Sequence, residues 1–128
     1  MEKTVRETIK EIIRRHLKKN KGQVFGQCLT AVGWVGGTLP KLYEKDGMIE
    51  LPMADVSNAG IVVGAGLMNK RPIYIIRYQG FNWYNCPMIV NYACKSKELW
   101  KVPCPIFVRG IGMEGGIGPV AGSSHHAL

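Results

Sequence analysis

Residues 50–81 of the chain read ELPMADVSNAGIVVGAGLMNKRPIYIIRYQGF, and this stretch decides the fold. Residues 59–68 within it carry no polar side chain, so a helix here has no face suited to water and belongs in a core or an interface. Residues 73–76 are Ile-Tyr-Ile-Ile, a β-branched and aromatic run typical of a buried strand. The stretch therefore predicts a strand, a buried helix, a turn and a second strand.

An aromatic segment follows the second of these strands. The chain breaks at Gln79 and Gly80 and then presents Phe81, Trp83 and Tyr84. In open α/β sheets, the loops that leave the carboxyl ends of the strands form the binding crevice. We therefore expect the aromatic side chains to lie where a flat ligand can stack.

Patterns before and after this stretch continue the alternation of helices and strands. Thr4 and Glu7 have the spacing of a capping box, and apolar residues then recur at helical intervals. The patterns predict helices over residues 5–19, 39–45 and 88–97, strands over residues 23–29, 48–51, 73–78 and 104–109, and a flexible glycine-rich loop over residues 33–37. This alternation predicts an α/β fold, a parallel sheet with helices on both faces, in one domain spanning residues 1–128.

The composition is that of a soluble globular protein. Hydrophobic residues make up 46% of the chain and charged residues 20%, which suits a folded core and not a disordered chain. No apolar run approaches the ~20 residues that cross a bilayer, and no signal-peptide pattern is present, so we expect a cytoplasmic protein without a membrane partner. The absence of a CxxC pair favours buried reduced thiols over a metal site or a disulfide framework for the four cysteines, Cys28, Cys86, Cys94 and Cys104.

The net charge of +8 is concentrated at the N-terminus. Residues 1–21 carry eight basic and three acidic side chains, so +5 of the total charge lies in this segment, which contains the first predicted helix. A nucleic-acid-binding surface would combine such a cluster with aromatic or polar groups that read the bases. We interpret the cluster as a solvated helix face and keep nucleic-acid binding as the weaker alternative.

The C-terminal segment carries two further patterns. Residues 110–115, GIGMEG, match GxGxxG after a predicted strand, but the sequence that follows is a poor helix start and lacks the acidic residue of a dinucleotide site. A glycine-rich loop that bends around a ligand or a partner chain is the favoured interpretation. His125 and His126 are adjacent titratable rings suited to proton transfer, with a tail of no catalytic role as the alternative.

Five short stretches along the chain form a recognisable set: TVRE at residues 4–7, SNAGI at 57–61, KRP at 70–72, IVNYACK at 89–95 and PIFVRG at 105–110. Together they resemble the pyrimidine-binding domain of thiamine-diphosphate enzymes. The likeness is closest to the β-subunit of the first components of 2-oxo acid dehydrogenases, with transketolase and deoxyxylulose-phosphate synthase as more distant relatives. The resemblance implies an α/β fold of the thiamine-diphosphate pyrimidine-domain type, here without the domain's final elements and without a C-terminal domain.

The resemblance also implies a set of site residues. Phe81 falls where the family stacks an aromatic ring on the aminopyrimidine of the cofactor, and His125 falls at the active-site histidine. Asn58 falls at the glutamate that hydrogen-bonds the pyrimidine ring and activates the cofactor, and Gln27 falls at the acidic residue after the first strand. An amide cannot share a proton with the ring as a carboxylic acid does. Asp55, three residues before Asn58, is the other candidate for that role.

A cofactor and a partner chain follow from the same resemblance. The family binds thiamine diphosphate through magnesium on a GDG-type motif in a separate domain, and no such motif is present here. A partner chain in a homo- or hetero-oligomer is expected to supply it, with residues 59–68 buried at the interface, where Gly60 and Gly64 would admit another backbone. Decarboxylation of a small 2-oxo acid is the preferred reaction. Ketol transfer of the transketolase type and a non-catalytic interaction subunit are the alternatives.

Overall fold

Four parallel strands form one sheet in the computed structural model, which describes residues 2–112 of the chain. Their order is β2-β1-β3-β4, and their bounds are β1 Gln23–Gly26, β2 Met48–Glu50, β3 Pro72–Ile76 and β4 Phe107–Gly110. Phe25 of β1 lies opposite Ile49 of β2 and Tyr74 of β3. The predictions for residues 113–128, which include the glycine-rich tail and His125, lie outside the described residues.

Helices connect the strands. The right-handed α-helical segments are α1 Val5–Lys18, α3 Asp55–Leu67, α4 Asn82–Met88 and α5 Cys94–Trp100, and a π-helical segment, Ile89–Ala93, joins α4 to α5. The segment α2, Ala31–Gly37, has a mostly left-handed backbone. Glu44–Asp46 and Gln79–Phe81 form short 3₁₀ turns. Among residues 2–112, no helix combines the length and apolar character that crossing a membrane requires.

The sheet is covered on both faces, because its side chains alternate between two apolar clusters. Ile73 and Ile75 of β3 pack into a cluster with residues of α1, which include Ile13 and Leu17. Tyr74 and Ile76, the neighbours of Ile75 along β3, pack into a second cluster with Ala59 and Val62 of α3. The predicted α/β fold, a parallel sheet with helices on both faces, is confirmed.

Close approach of α3 to the segment that leads into β4 depends on a glycine that the sequence pattern did not single out. A Cβ on Gly66 would lie 2.8 Å from Cys104 Sγ and 3.0 Å from Ile106 Cγ1, so a larger residue does not fit there. A Cβ on Gly60 would come within 3.3 Å of Met88 Cε, whereas one on Gly64 would meet no atom within 4 Å. Gly66 thus sets the packing distance inside the domain, and Gly64 leaves a shallow place on the surface of α3.

Prolines account for two differences from the predicted helices. The helix predicted over residues 39–45 is wrong except for a 3₁₀ turn at Glu44–Asp46, since Leu39 precedes Pro40 and is therefore disfavoured in the helical region. The later helical region begins at Asn82, six residues before the predicted start, and Pro87 is the next-to-last residue of its first helix, α4. Pro87 has no backbone N–H to donate, and the π-helical segment follows it directly.

The expected glycine-rich loop is a left-handed turn. Residues 32–36 of α2 have φ between 51 and 63°, and three of them, Val32, Trp34 and Val35, are not glycine. Left-handed backbone costs roughly 1–2 kcal/mol for each such residue. Local contacts offset part of this cost, because the Trp34 indole donates a hydrogen bond of 3.1 Å to the carbonyl oxygen of Leu42 and packs edge-on against Tyr43.

Candidate functional site

A crevice lies where the strand order of the sheet reverses. The chain passes from β1 to β2 on one side and reaches β3 on the other side, so the loops after β1 and β3 diverge at their carboxyl ends. Gln27 and Cys28 after β1, together with Arg77 and Tyr78 after β3, line a cavity of about 170 Å³ there. This volume is below the ~300 Å³ of the smaller drug-sized sites, so the crevice suits one ring and not a whole ligand.

Phe81 forms an aromatic wall of the crevice, and neighbouring rings fix its orientation. The Tyr78 ring meets it edge-on, with centroids 5.7 Å apart and planes at 86°, and the Tyr84 ring lies 6.3 Å away at 60°. Edge-to-face geometry is the favourable arrangement of such quadrupoles. The sequence-based expectation of an aromatic cluster beside the sheet's carboxyl edge therefore agrees with where these rings lie.

Arg77 holds the two diverging loops together. Its Nη1 donates a hydrogen bond of 3.1 Å to the carbonyl oxygen of Cys28. Cys28 has φ of 52°, which turns its carbonyl away from the direction that a continuing strand would give. This contact between the ends of β1 and β3 keeps the mouth of the crevice at a fixed width.

Asp55 supplies the carboxylate of the crevice. It is the first residue of α3, and it does not cap the helix, because the N-cap is Ala54 and makes no side-chain bond. The Asn85 amide donates from Nδ2 to Asp55 Oδ1 at 3.2 Å and to the carbonyl oxygen of Phe81 at 2.8 Å. One buried amide thus positions both the carboxylate and the backbone that carries the aromatic wall.

Tyr74 completes this network from the sheet. Its hydroxyl donates to Asn85 Oδ1 at 2.6 Å, and both side chains are buried. Burial, with a smaller contribution from the negative charge of Asp55, raises the pKa of Tyr74 well above its usual range. The hydroxyl therefore remains protonated and donates, which leaves the Asn85 Nδ2 hydrogens directed at Asp55 and Phe81.

The structure brings together some of the site residues proposed from the sequence. Gln27 and Phe81 both line the crevice, and so does Asp55. Asn58 is 0% exposed and lies one helical turn deeper, where its Nδ2 donates to the carbonyl oxygen of Pro52 at 2.7 Å and its Oδ1 finds no partner among residues 2–112. Asn58 is not among the residues that line the cavity.

Two residues of the site were missed by the sequence analysis. Tyr74 was assigned to a buried strand and Asn85 to the segment before a helix, and neither was considered as a site residue. A tyrosine inside a β-branched run and an asparagine at a helical spacing after the aromatic loop were the available signals, because buried tyrosine hydroxyls and amides need hydrogen-bond partners.

The described residues suit a heteroaromatic ring better than a metal ion. The crevice combines an aromatic wall, one carboxylate and the amide of Gln27, groups that can stack on a ring and hydrogen-bond its edge. No group of three histidine, cysteine or acidic side chains within residues 2–112 is placed to hold a metal ion. The crevice as described has the volume and the polar and aromatic groups that suit one aromatic ring.

Comparison with known proteins finds a partial match in sequence. No family model matches the chain. The pyruvate dehydrogenase E1 component subunit beta of Mycoplasma pneumoniae is 33% identical over 81 residues, a match that covers 62% of this chain and 24% of that protein. The chain is therefore similar to part of a pyruvate dehydrogenase E1 β-subunit, and the match spans about a quarter of that relative's length.

Removing the Tyr74 hydroxyl tests the buried network. We expect Tyr74→Phe to lower the free energy of unfolding by about 1–3 kcal/mol, because Asn85 Oδ1 would remain buried without a donor. Chemical denaturation measures the change. Tyr84→Phe, which removes an exposed hydroxyl, should change stability by less than about 0.5 kcal/mol. Equal effects of the two variants would show that the network does not stabilise the fold.

Proposed function

We propose that this chain is the pyrimidine-binding part of a thiamine-diphosphate-dependent enzyme that decarboxylates a 2-oxo acid. The observation that carries the proposal is the placement of Asp55 and Phe81 on one ring-sized crevice at the carboxyl edge of a parallel sheet. The relationship to a pyruvate dehydrogenase β-subunit supports the same cofactor and reaction class. Thiamine diphosphate, when bound, supplies the chemistry that cleaves the bond to the carboxyl group.

Phe81, Gln27 and Asp55 have separate roles in this proposal. Phe81 stacks on the aminopyrimidine ring, and its edge contacts with Tyr78 and Tyr84 keep it in the required orientation. Gln27 hydrogen-bonds the ring from the β1 side. Asp55 shares a proton with a ring nitrogen, held in position by the Asn85 amide.

The choice between Asp55 and Asn58 rests on chemistry and on position. Only a carboxyl group shares a proton with the ring, and only Asp55 lines the crevice. Asn58 falls at the position that the family motif implies. Its amide, however, donates a hydrogen bond to the carbonyl oxygen of Pro52, just before the start of α3. We therefore assign the proton role to Asp55 and a supporting role beneath it to Asn58. His125 remains the proposed residue for proton handling at the substrate.

A partner chain binds the diphosphate and magnesium in this proposal. The exposed part of α3 suits such a partner, since residues 56–68 carry no charged side chain and Gly64 leaves open space. Its exposed large apolar side chains are Val56, Ile61, Leu67 and Met68. An apolar surface of this kind is typical of an obligate interface. The active site would then form between the two chains.

A non-catalytic subunit of the same fold is the second candidate. Gln27 lines the crevice at the position where the resemblance implies an acidic residue, which favours this reading. The subunit would then bind the cofactor ring and the partner without turnover. Turnover by the assembled complex separates the two candidates. Use of ketose donors in place of 2-oxo acids would indicate the transketolase type of reaction.

Asp55→Asn tests the proton role. In the complex purified with its partner chain, we expect kcat for 2-oxo acid decarboxylation to fall about 10²–10⁴-fold, while the affinity for thiamine diphosphate changes little, because the amide still fills the crevice. Glu98→Gln, an exposed carboxylate on α5, is the control and should keep full activity. A larger loss of kcat with Asn58→Ser than with Asp55→Asn would assign the proton role to Asn58 instead.

Phe81→Ala tests the aromatic wall. Loss of ring stacking should weaken thiamine diphosphate binding to the assembled complex about 5–100-fold, in line with the cost of removing one stacked ring. Calorimetric titration of the cofactor with magnesium measures the change. The control is Tyr92→Ala, which removes a half-exposed ring that stacks on Trp100 away from the crevice. This variant should bind thiamine diphosphate as tightly as the unaltered chain does. Unchanged affinity in Phe81→Ala would exclude the stacking role.

Ile61→Glu tests the partner surface. Ile61 is 48% exposed on α3, so the new carboxylate should lower the stability of the isolated chain little. Against a partner chain, the same carboxylate would be buried without an opposite charge. We expect at least a tenfold loss of partner chain in co-purification from the native host. Val5→Glu, exposed by 76% on α1, is the matched control and should retain the partner. Retention of the partner by both variants would place the interface elsewhere.

A further inference from the structure

The buried amide of Asn85 has one orientation that satisfies all of its neighbours. Its Oδ1 accepts the hydrogen bond from the Tyr74 hydroxyl, and its Nδ2 donates both to Asp55 Oδ1 and to the carbonyl oxygen of Phe81. A primary amide carries two N–H donors, so these two acceptors use both of them. Asn85 is 0% exposed, and a lost partner is therefore not replaced by bulk water.

Tyr74 selects this orientation over the flipped one. A half-turn of the amide would direct Oδ1 at two acceptors, Asp55 Oδ1 and the carbonyl oxygen of Phe81. It would also direct Nδ2 at the Tyr74 hydroxyl, whose own proton would then need a new acceptor. Within residues 2–112 that hydroxyl has one hydrogen bond, to Asn85. Burial raises the pKa of Tyr74, so the proton stays on the oxygen and the hydroxyl remains a donor.

The same amide decides which oxygen of Asp55 is available to a ligand. Asp55 lines the crevice, and its Oδ1 accepts from Asn85 at 3.2 Å. The N-cap residue of α3, Ala54, makes no side-chain bond. In the described part of the chain, the contact with Asn85 is the one hydrogen bond that holds the Asp55 side chain, and no group donates to its Oδ2.

The location of these groups links them to the crevice and not to the core alone. Tyr74 lines the crevice beside Asp55, and the carbonyl oxygen that Asn85 holds belongs to Phe81, the aromatic wall. A buried polar pair with a purely structural role is replaceable by apolar groups of the same shape at little loss of stability. Such a replacement here would release a carboxylate that lines the crevice.

We propose that Tyr74 is a positioning residue of the crevice, which acts through the Asn85 amide to hold Asp55 with Oδ2 turned towards the cofactor ring. The inference rests on the proposed function for the role of Asp55, and it assigns new roles to Tyr74 and Asn85. Asp55 Oδ1 is engaged by Asn85, which leaves Oδ2 to share the proton with the ring nitrogen. A misdirected carboxylate still fills the crevice. The loss should therefore appear in kcat and not in the affinity for the cofactor.

Solvent exchange of the Asn85 side-chain amide protons tests the orientation without any turnover. In the isotope-labelled full chain, we expect these protons to exchange about tenfold or more slowly than those of Asn69, an exposed asparagine. Nuclear magnetic resonance measures both rates. Tyr74→Phe should speed the exchange at Asn85 about threefold or more and leave Asn69 unchanged, because the amide is then free to flip. Equal rates at Asn85 and Asn69 in the unaltered chain would overturn the proposal.

Kinetics of the complex purified with its partner chain test the positioning role. Tyr74→Phe should lower kcat for 2-oxo acid decarboxylation about 10-fold to 100-fold and change the affinity for thiamine diphosphate less than about threefold. In the Asp55→Asn background, the same substitution should change kcat less than about twofold, because the carboxylate that it positions is absent. Ile13→Val is the control for lost stability. Ile13 is buried against the other face of the sheet, so this variant should be less stable and keep full kcat.

The outcomes separate this inference from the proposed function. A loss of kcat in Asp55→Asn together with full kcat in Tyr74→Phe would overturn the positioning role and leave the proposed function intact. Equal losses of kcat in Tyr74→Phe and Ile13→Val would also overturn it, since lower stability alone would then explain both. Full kcat in Asp55→Asn would contradict the proposed function and this inference together.

Discussion

A single buried asparagine connects the sheet to both helices that border the crevice. Asn85 of α4 accepts a hydrogen bond from Tyr74 of β3 and donates one to Asp55 at the start of α3. Because Tyr74 and Asn85 are buried, breaking their bond would leave a polar atom unsatisfied. The positions of α3, α4 and the aromatic wall are therefore set together, and the crevice keeps its shape only while the network is intact.

The overall fold was largely predictable because its causes are local in the sequence. Alternating and helical apolar patterns located the strands and α1, and the all-apolar residues 59–68 correctly indicated a helix packed on the sheet. Two errors lie at prolines: the helix predicted over residues 39–45 is absent after Pro40 except for a 3₁₀ turn, and the helix predicted to start beside Pro87 starts before it, at Asn82. The left-handed turn of α2 was unpredictable for another reason, since valine and tryptophan rarely adopt that backbone.

The candidate site was predictable only in part. Gln27 and Phe81 follow strands, and topology alone directs such residues to the carboxyl edge of a parallel sheet. The choice between Asp55 and Asn58 depends on which of two polar residues, one turn apart, reaches past the end of the helix. Sequence periodicity does not resolve that difference, nor does it reveal hydrogen bonds between residues as distant as Asp55 and Asn85.

The arrangement of β1 at the centre of the sheet has a consequence for folding kinetics. Gln23 pairs with Pro72 and Val24 with Met48, so this central strand has no neighbour in sequence with which to form a hairpin. The chain loses conformational entropy on closing these long loops before the distant pairs form. Parallel sheets consequently fold slowly. During synthesis, β1 leaves the ribosome long before β3, and its edge facing β3 stays unpaired until residue 76 has been added.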